Sequence, residues 1–212
     1  MCGRFSNQIS ELDGWSRSIQ KWPDVDQSYN VSPTSNIPAF RSEHGEKMRW
    51  GLIPSWAEDF ESNYSTFNAR IETVAEKPTF KSAWKNAQRC LIPMAGYYEW
   101  TGQAGNKQPY YVTDRIAGGL VAAGLYDSWK VGRFLSCTIL TKDADEAMSQ
   151  LHPRIPILLT PDTALDWMNG SDELDESKIT DLVRPKLSYY KVGKLVGNSK
   201  VDNSDLMQPK RI

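Results

Sequence analysis

The chain has 212 residues, 40% hydrophobic and 24% charged, with a net charge of -1. This is the composition of an ordinary soluble globular protein, long enough for one large domain or two small ones. The near-zero charge carries no global basic signature for nucleic acid, so an anionic partner has to be met by a local patch. No run of 18 apolar residues offers a membrane span.

The chain opens Met1-Cys2-Gly3-Arg4-Phe5, without the long apolar stretch of a secretory signal. Ile9, Leu12, Trp15, Ile19 and Trp22 recur every three to four residues and predict an amphipathic helix, with Pro23 just past its end. Residues 36–56 read as strands and turns, ending in Trp50-Gly51-Leu52-Ile53-Pro54-Ser55-Trp56. A helix is predicted over 78–87, with Pro78 in its first turn and Phe80, Ala83, Trp84 and Ala87 on one face. Strand-like runs follow at 89–100, 108–113, 119–126 and 133–141, the first two joined by a hairpin loop rich in small and polar residues. A short helix is expected from Asp143 to Leu151, and a buried strand from Ile155 to Leu159. Thr160 then caps a helix with Pro161 at its first position. A further helix is predicted near 175–183, and the residues after Gly197 read as a polar tail. Strands and helices mixed without regular βαβ alternation predict a single α+β domain spanning 1–212.

Cys2, Cys90 and Cys137 form neither a CxxC pair nor an even disulfide framework, which fits a reducing, cytoplasmic compartment. No two ligands sit at zinc-finger spacing, and neither metal nor other cofactor is expected. Cys2 stands out by position. With Met1 removed, one residue carries an α-amine and a thiol on adjacent carbons. Such a 1,2-aminothiol traps an aldehyde: the amine forms an imine and the thiol closes onto it as a thiazolidine. An α-amine titrates near pH ~8, so much of it is nucleophilic at neutral pH. With Met1 retained the amine is blocked, and a cysteine at position 2 is also compatible with mere accident.

Six islands then line up in order: Cys2-Gly3-Arg4-Phe5; Tyr29-Asn30-Val31-Ser32-Pro33; the Trp50 to Trp56 run; Asn68-Ala69-Arg70-Ile71-Glu72-Thr73; Gly96-Tyr97-Tyr98-Glu99-Trp100; and His152-Pro153-Arg154-Ile155-Pro156. Together they resemble the SOS-response-associated peptidase (SRAP) family, the abasic-site processing proteins, from Cys2 to about Asn198. Ile155 stands where the family usually has Met, a conservative apolar change. The resemblance implies an α+β fold with a barrel-like, branched, mainly antiparallel sheet and peripheral helices. It also implies covalent capture of abasic (AP) sites in single-stranded DNA, whose ring-opened form is the aldehyde an aminothiol traps. A cytoplasmic monomer, nucleoid-associated when on DNA, follows from the same reading.

The resemblance assigns Cys2 as the crosslinking residue, Asn68 as the active-site amide, Glu99 as the acid/base carboxylate and His152 as the proton-shuttling histidine. Each has a plainer alternative. Asn68 also fits a turn, Glu99 the solvent face of an alternating strand, and His152 a hydrogen-bonded structural role. Arg70 is two residues from Asn68 and would share its strand face, to hold a phosphate or a surface ion pair. Arg4, Lys77, Lys81, Lys85 and Arg89 are further candidates for phosphate contact, although Lys81 and Lys85 also suit a solvated helix face. Pro33, Trp50 and Trp56 match apolar positions of the family's DNA site. Of these, Trp56 is the better candidate to stack on a base and Trp50 suits the core. His44 reads as a loop residue without a role. The rival functions are an N-terminal-nucleophile hydrolase, in which the Cys2 thiol attacks an amide with its own amine as base, and a non-catalytic nucleic-acid-binding module.

Overall fold

The computed structural model describes residues 2–9, 12, 14–15, 18–60, 65–103, 105–114, 118–130, 133–170 and 187–210. Five strands close on themselves: β2 (Asn36–Phe40), β3 (Gly45–Trp50), β5 (Arg89–Met94), β8 (Leu120–Trp129) and β9 (Phe134–Asp143). β9 pairs with both β3 and β8, which joins the two ends of the path β3-β2-β5-β8 into a barrel. Its ladders are antiparallel except β3–β9. β9 also branches: β4 (Asn68–Arg70) adds to it in parallel and β10 (Arg154–Pro156) antiparallel. The α+β, mainly antiparallel barrel expected from the resemblance is therefore observed.

Alternation along the strands builds two cores. Ile37, Met48, Ile92, Ala122, Cys137 and Ile139, one residue in two, form the cluster that fills the barrel. Phe40, Leu91, Val121, Ala123 and Leu140 point the other way, under α1 (Pro78–Lys85) and α3 (Pro161–Asn169), whose Phe80, Ala83, Ala164 and Trp167 cover them. The lumen is tight. A Cβ at Gly124 would lie 2.8 Å from Ile92 Cδ1 and 2.9 Å from Cys90 Sγ, so only glycine fits there. Thr160 caps α3 with a full capping box, as its sequence predicts.

A second sheet runs in the order β1 (Phe5–Ser6), β6 (Gly96–Thr101), β7 (Gln108–Thr113), β11 (Ser188–Lys191). The run 89–100, read as one strand, is two: β5 belongs to the barrel and β6 to this sheet, with the break at Ala95. The segment after Gly197 corrects the expectation of a polar tail: Leu206 is buried, and Val201 and Met207 pack with it against the cluster of Tyr98, Tyr111, Val192 and Val196. Tyr190 on β11 stacks near Tyr111.

The helix predicted over 9–22 is also corrected. Its described residues form no helix; Gly14 adopts a φ of +80°, Trp15 N donates to Leu12 O at 3.2 Å and Ile19 N to Trp15 O at 2.9 Å. The periodicity reported burial rather than helix: Ile9, Trp15 and Ile19 are all buried. α2 is one short turn, Glu146–Ser149, capped by Asp145. The helix expected near 175–183 lies outside the described residues. No helix among the described residues is long and apolar enough to cross a membrane.

Candidate active site

The two sheets meet at Cys2. β1 pairs with β6 through Phe5 and Tyr97, and Tyr98 N donates to Arg4 O at 2.9 Å, which lays the N-terminal residues along β6. From the barrel side, Asn68 Nδ2 on β4 donates to Cys2 O at 2.7 Å. Asn68 Oδ1 is buried and meets no hydrogen-bond donor among the described residues. Cys2 is fully buried. That burial, with the charge of Glu99 added to it, pushes the thiol well above its ordinary range. A thiol so placed is protonated at neutral pH.

Glu99 is the instructive case, because strand alternation left its direction open. On β6, Tyr97 and Glu99 share one face, while Tyr98 and Trp100 lie on the other, under the C-terminal segment. With that outer face covered by Tyr29, Val201 and Leu206, Glu99 lies inward and is 4% exposed. Its Oε1 accepts from Trp100 N at 3.2 Å.

Aromatic packing fixes the wall behind Cys2. Trp50 is buried, its ring edge-on to Phe5 at 4.9 Å and to Phe67 at 5.5 Å, and its Nε1 donates to Phe67 O at 2.9 Å. Trp50 is thus core, as expected, and it sets the position of the residue just before Asn68.

His152 is half-buried after α2, and its N donates to Met148 O at 3.1 Å. Met148 and Leu151 belong to the cluster that contains Cys2. His152 Nδ1 lies 3.0 Å from Arg154 N and 3.1 Å from Arg154 O, so the backbone of Arg154 holds one side of the ring. Two residues on, the Arg154 side chain is buried and bonds both Glu72 oxygens at 2.7 and 2.8 Å, Asp143 at 2.6 Å and Thr141 O at 2.8 Å. This charge cluster ties the segment after β4 to the one after His152. The bonds from Arg154 outweigh the burial of Glu72 and hold its carboxyl below the usual range.

The cationic candidates divide. Arg4 is half-buried, and its Nη1 donates to Asn30 Oδ1 at 3.0 Å, a neutral partner. Arg70 and Lys77 are exposed. Arg70 shares the strand side of Asn68, whereas Lys77 begins α1 on the barrel's outer layer with Lys81 and Lys85. Arg89 is not available to a phosphate: it is 3% exposed, donates to Trp167 O and Gly170 O, and stacks over Trp84 and Trp167. Pro33 lines a cleft of about 170 Å³ with Arg49, Trp50, Thr66 and Phe67. Trp56 is 61% exposed on a loop pinned by Ser55 N to Asp127 and Trp129 Nε1 to Ala57 O. No group of three or more metal-ligating side chains occurs among the described residues.

Three features escaped the sequence reading: Arg49 in the cleft, the Arg154 cluster and Tyr97. Alternation from Glu99 identifies Tyr97 once the inward face of β6 is known. Gly51 marks Arg49, since it has a φ of +132° and a Cβ there would lie 2.7 Å from Arg49 Nη1.

A family model described as SOS response associated peptidase (SRAP) matches residues 1–199. The abasic site processing protein YoqW of Bacillus subtilis is 32% identical, covering 98% of this chain and 99% of its own. The abasic site processing protein HMCES of Xenopus tropicalis is 32% identical over 89% of this chain and 70% of its own. A crystal structure of a protein from Bacteroides thetaiotaomicron superposes with a TM-score of 0.77 at 25% identity, covering 98% of this chain and 100% of that one.

Proposed function

The chain belongs to the SOS response associated peptidase family, and on that premise we propose that it processes abasic sites in DNA by capturing them covalently on Cys2 after Met1 is removed. The observation that carries this reading is the convergence on Cys2 of a buried carboxylate, Glu99, and an amide, Asn68. The relatives named as abasic site processing proteins support it over the full chain.

The raised thiol orders the chemistry. The α-amine attacks the aldehyde first, and the thiol closes the ring second. Imine formation needs a proton taken from the amine and, as the carbinolamine collapses, another given to the hydroxyl that leaves as water; opening of the cyclic sugar needs a proton on its ring oxygen. Glu99 and His152 divide these transfers. Asn68 holds the Cys2 carbonyl through Nδ2 and keeps Oδ1 for an N–H or sugar hydroxyl. Arg4 and Arg70 position the flanking phosphates of a single strand, Pro33 and Trp56 meet its bases, and Lys77 adds charge further out. The protein acts as a cytoplasmic monomer, nucleoid-associated when on DNA.

Amide hydrolysis is the rival. Removal of Met1, by the protein itself as a thiol autopeptidase or by an aminopeptidase, precedes either reaction; a fully buried thiol pushed well up is a poor first nucleophile toward an amide, which favours capture through the amine. The test is incubation with a single strand bearing one AP site, followed by denaturing electrophoresis and intact mass. The expected species starts at Cys2 and carries the strand through denaturant. A Cys2→Ala protein keeps an amine and gives only a reducible imine. An equally stable adduct from Cys2→Ala without reductant overturns the thiol's role.

A further inference from the structure

We infer that the Tyr97 hydroxyl is the hydrogen-bond donor that receives the Cys2 thiolate as it closes onto the imine. The inference rests on the capture reading and adds a residue to it. Tyr97 is 1% exposed, and its hydroxyl is buried without a hydrogen-bond partner among the described residues. Its neighbour Tyr98 is equally buried, but there the hydroxyl donates to Tyr29 O at 2.8 Å. Buried hydroxyls are ordinarily satisfied, and an orphaned one destabilises the fold. A phenylalanine would fill the same space without that cost, so the oxygen at Tyr97 calls for a role outside the fold's own bonding.

The placement indicates the role. Tyr97 lies opposite Phe5 in the β1–β6 register, on the strand face that carries Glu99, in the same buried cluster as Cys2. The groups that act on its phenol are Cys2, Glu99 and Asp145 at the start of α2, all anionic when charged. Burial, followed by those charges, pushes the phenol far up, so it stays protonated and keeps its O–H to donate. Cys2 has the complementary need. Burial and Glu99 both oppose its thiolate, and the weak contact of Sγ with Arg4 O at 3.9 Å supplies no donor to a thiolate. In ring closure the thiol proton passes to Glu99. The sulfur pair then forms the C–S bond at the protonated imine carbon, and the C=N π pair moves to nitrogen, leaving a neutral secondary amine. Negative charge on sulfur is transient, and the Tyr97 O–H stabilises it.

The test separates the amine step from the thiol step in Tyr97→Phe. Adduct trapped by reductant reports the imine, and adduct stable without reductant reports the closed ring. A hydrogen bond to a charged group corresponds to about tenfold to a hundredfold in rate. Tyr97→Phe should therefore close the ring about tenfold to a hundredfold more slowly at pH 7. Its pH–rate profile should move about one to two pH units higher, with the imine yield unchanged and a fold at least as stable as the parent's. Tyr98→Phe should do the reverse, losing stability and keeping the profile. An unchanged closure rate and profile in Tyr97→Phe overturns the assignment, as does equal slowing of both steps or a loss of stability that reveals a structural partner. Failure of the parent protein to give either adduct overturns the capture reading instead.

Discussion

Asn68 and Cys2 touch at 2.7 Å, yet the elements that carry them are held by unlike means. Asn68 belongs to the barrel side. Its strand has only three residues, but it is laddered to β9 through Ile139, Leu140 and Thr141, and the Arg154–Glu72 pair fastens the turn that follows. Cys2 belongs to the open sheet. It extends from a two-residue edge strand whose hold on the barrel is aromatic, Phe5 against Trp50. On the proposed capture reading, a reacting group gains from the looser arm, and the groups that orient it gain from the stiffer one. The proposed site is then a rigid amide and an edge-strand nucleophile brought together across two sheets.

Trp50 is where that comparison breaks most visibly. It is fully buried, contacts Phe5 and Phe67 and donates to Phe67 O, so it serves both sheets at once. Trp50→Ala should destabilise the protein by about 3–5 kcal/mol. In urea, the transition should shift to a lower midpoint with an unchanged slope. A loss below about 1 kcal/mol would mean that the two sheets are held together elsewhere.

The Arg154 cluster tests the stiffer side alone. Glu72→Gln removes a charge from a buried guanidinium that keeps Asp143, and the Glu72 side chain is 43% exposed, so screening reduces the loss to about 1–2 kcal/mol. The sign with pH is fixed. Glu72 has a folded-state pKa below its ordinary value of 4.5, so its contribution is complete above that value and is lost as pH falls through the folded one. The stability gap between parent and Glu72→Gln, measured by denaturation, should be full at pH 7 and shrink below about pH 4. A gap that widens in acid would remove the ion pair from the explanation.

These contrasts also show what the sequence made legible. Strand runs, the α1 and α3 helices and the Thr160 cap could be read because they are local: periodicity, Pro at the first turn and a capping residue suffice. Residues 9–22 misled because a 3.6-residue period records which residues are buried, and an irregular segment around Gly14 can bury the same set. The direction of Glu99 could not be read, since both faces of β6 carry aromatics and only the returning C-terminal segment covers one of them. Arg89 looked like a surface cation because nothing local announces Trp84 and Trp167 stacking over it from two helices. The same distance in sequence hid the 82-residue link between Glu72 and Arg154.

Arg70 gives the smallest and most selective test. It lies on the Asn68 side of β4, exposed, and its side chain makes neither a hydrogen bond nor an ion pair with the described residues, so the fold does not depend on that side chain. Arg70→Ala should therefore leave stability within about 0.5 kcal/mol. If its guanidinium neutralises one phosphate, the log-affinity versus log-salt slope for a single strand should flatten by about 0.7, equally for intact and AP-containing strands. The crosslinking rate at saturating strand should be unchanged, because the residue positions the backbone and touches no reacting atom. Arg4 predicts differently: its bond to Asn30 couples it to the C-terminal segment through Asn198 O and Val201 O. Arg4→Ala should thus flatten the slope and lower stability together, while Arg70→Ala flattens the slope alone. An Arg70→Ala protein with an unaltered slope would leave strand positioning to Arg4, on the looser of the two sheets.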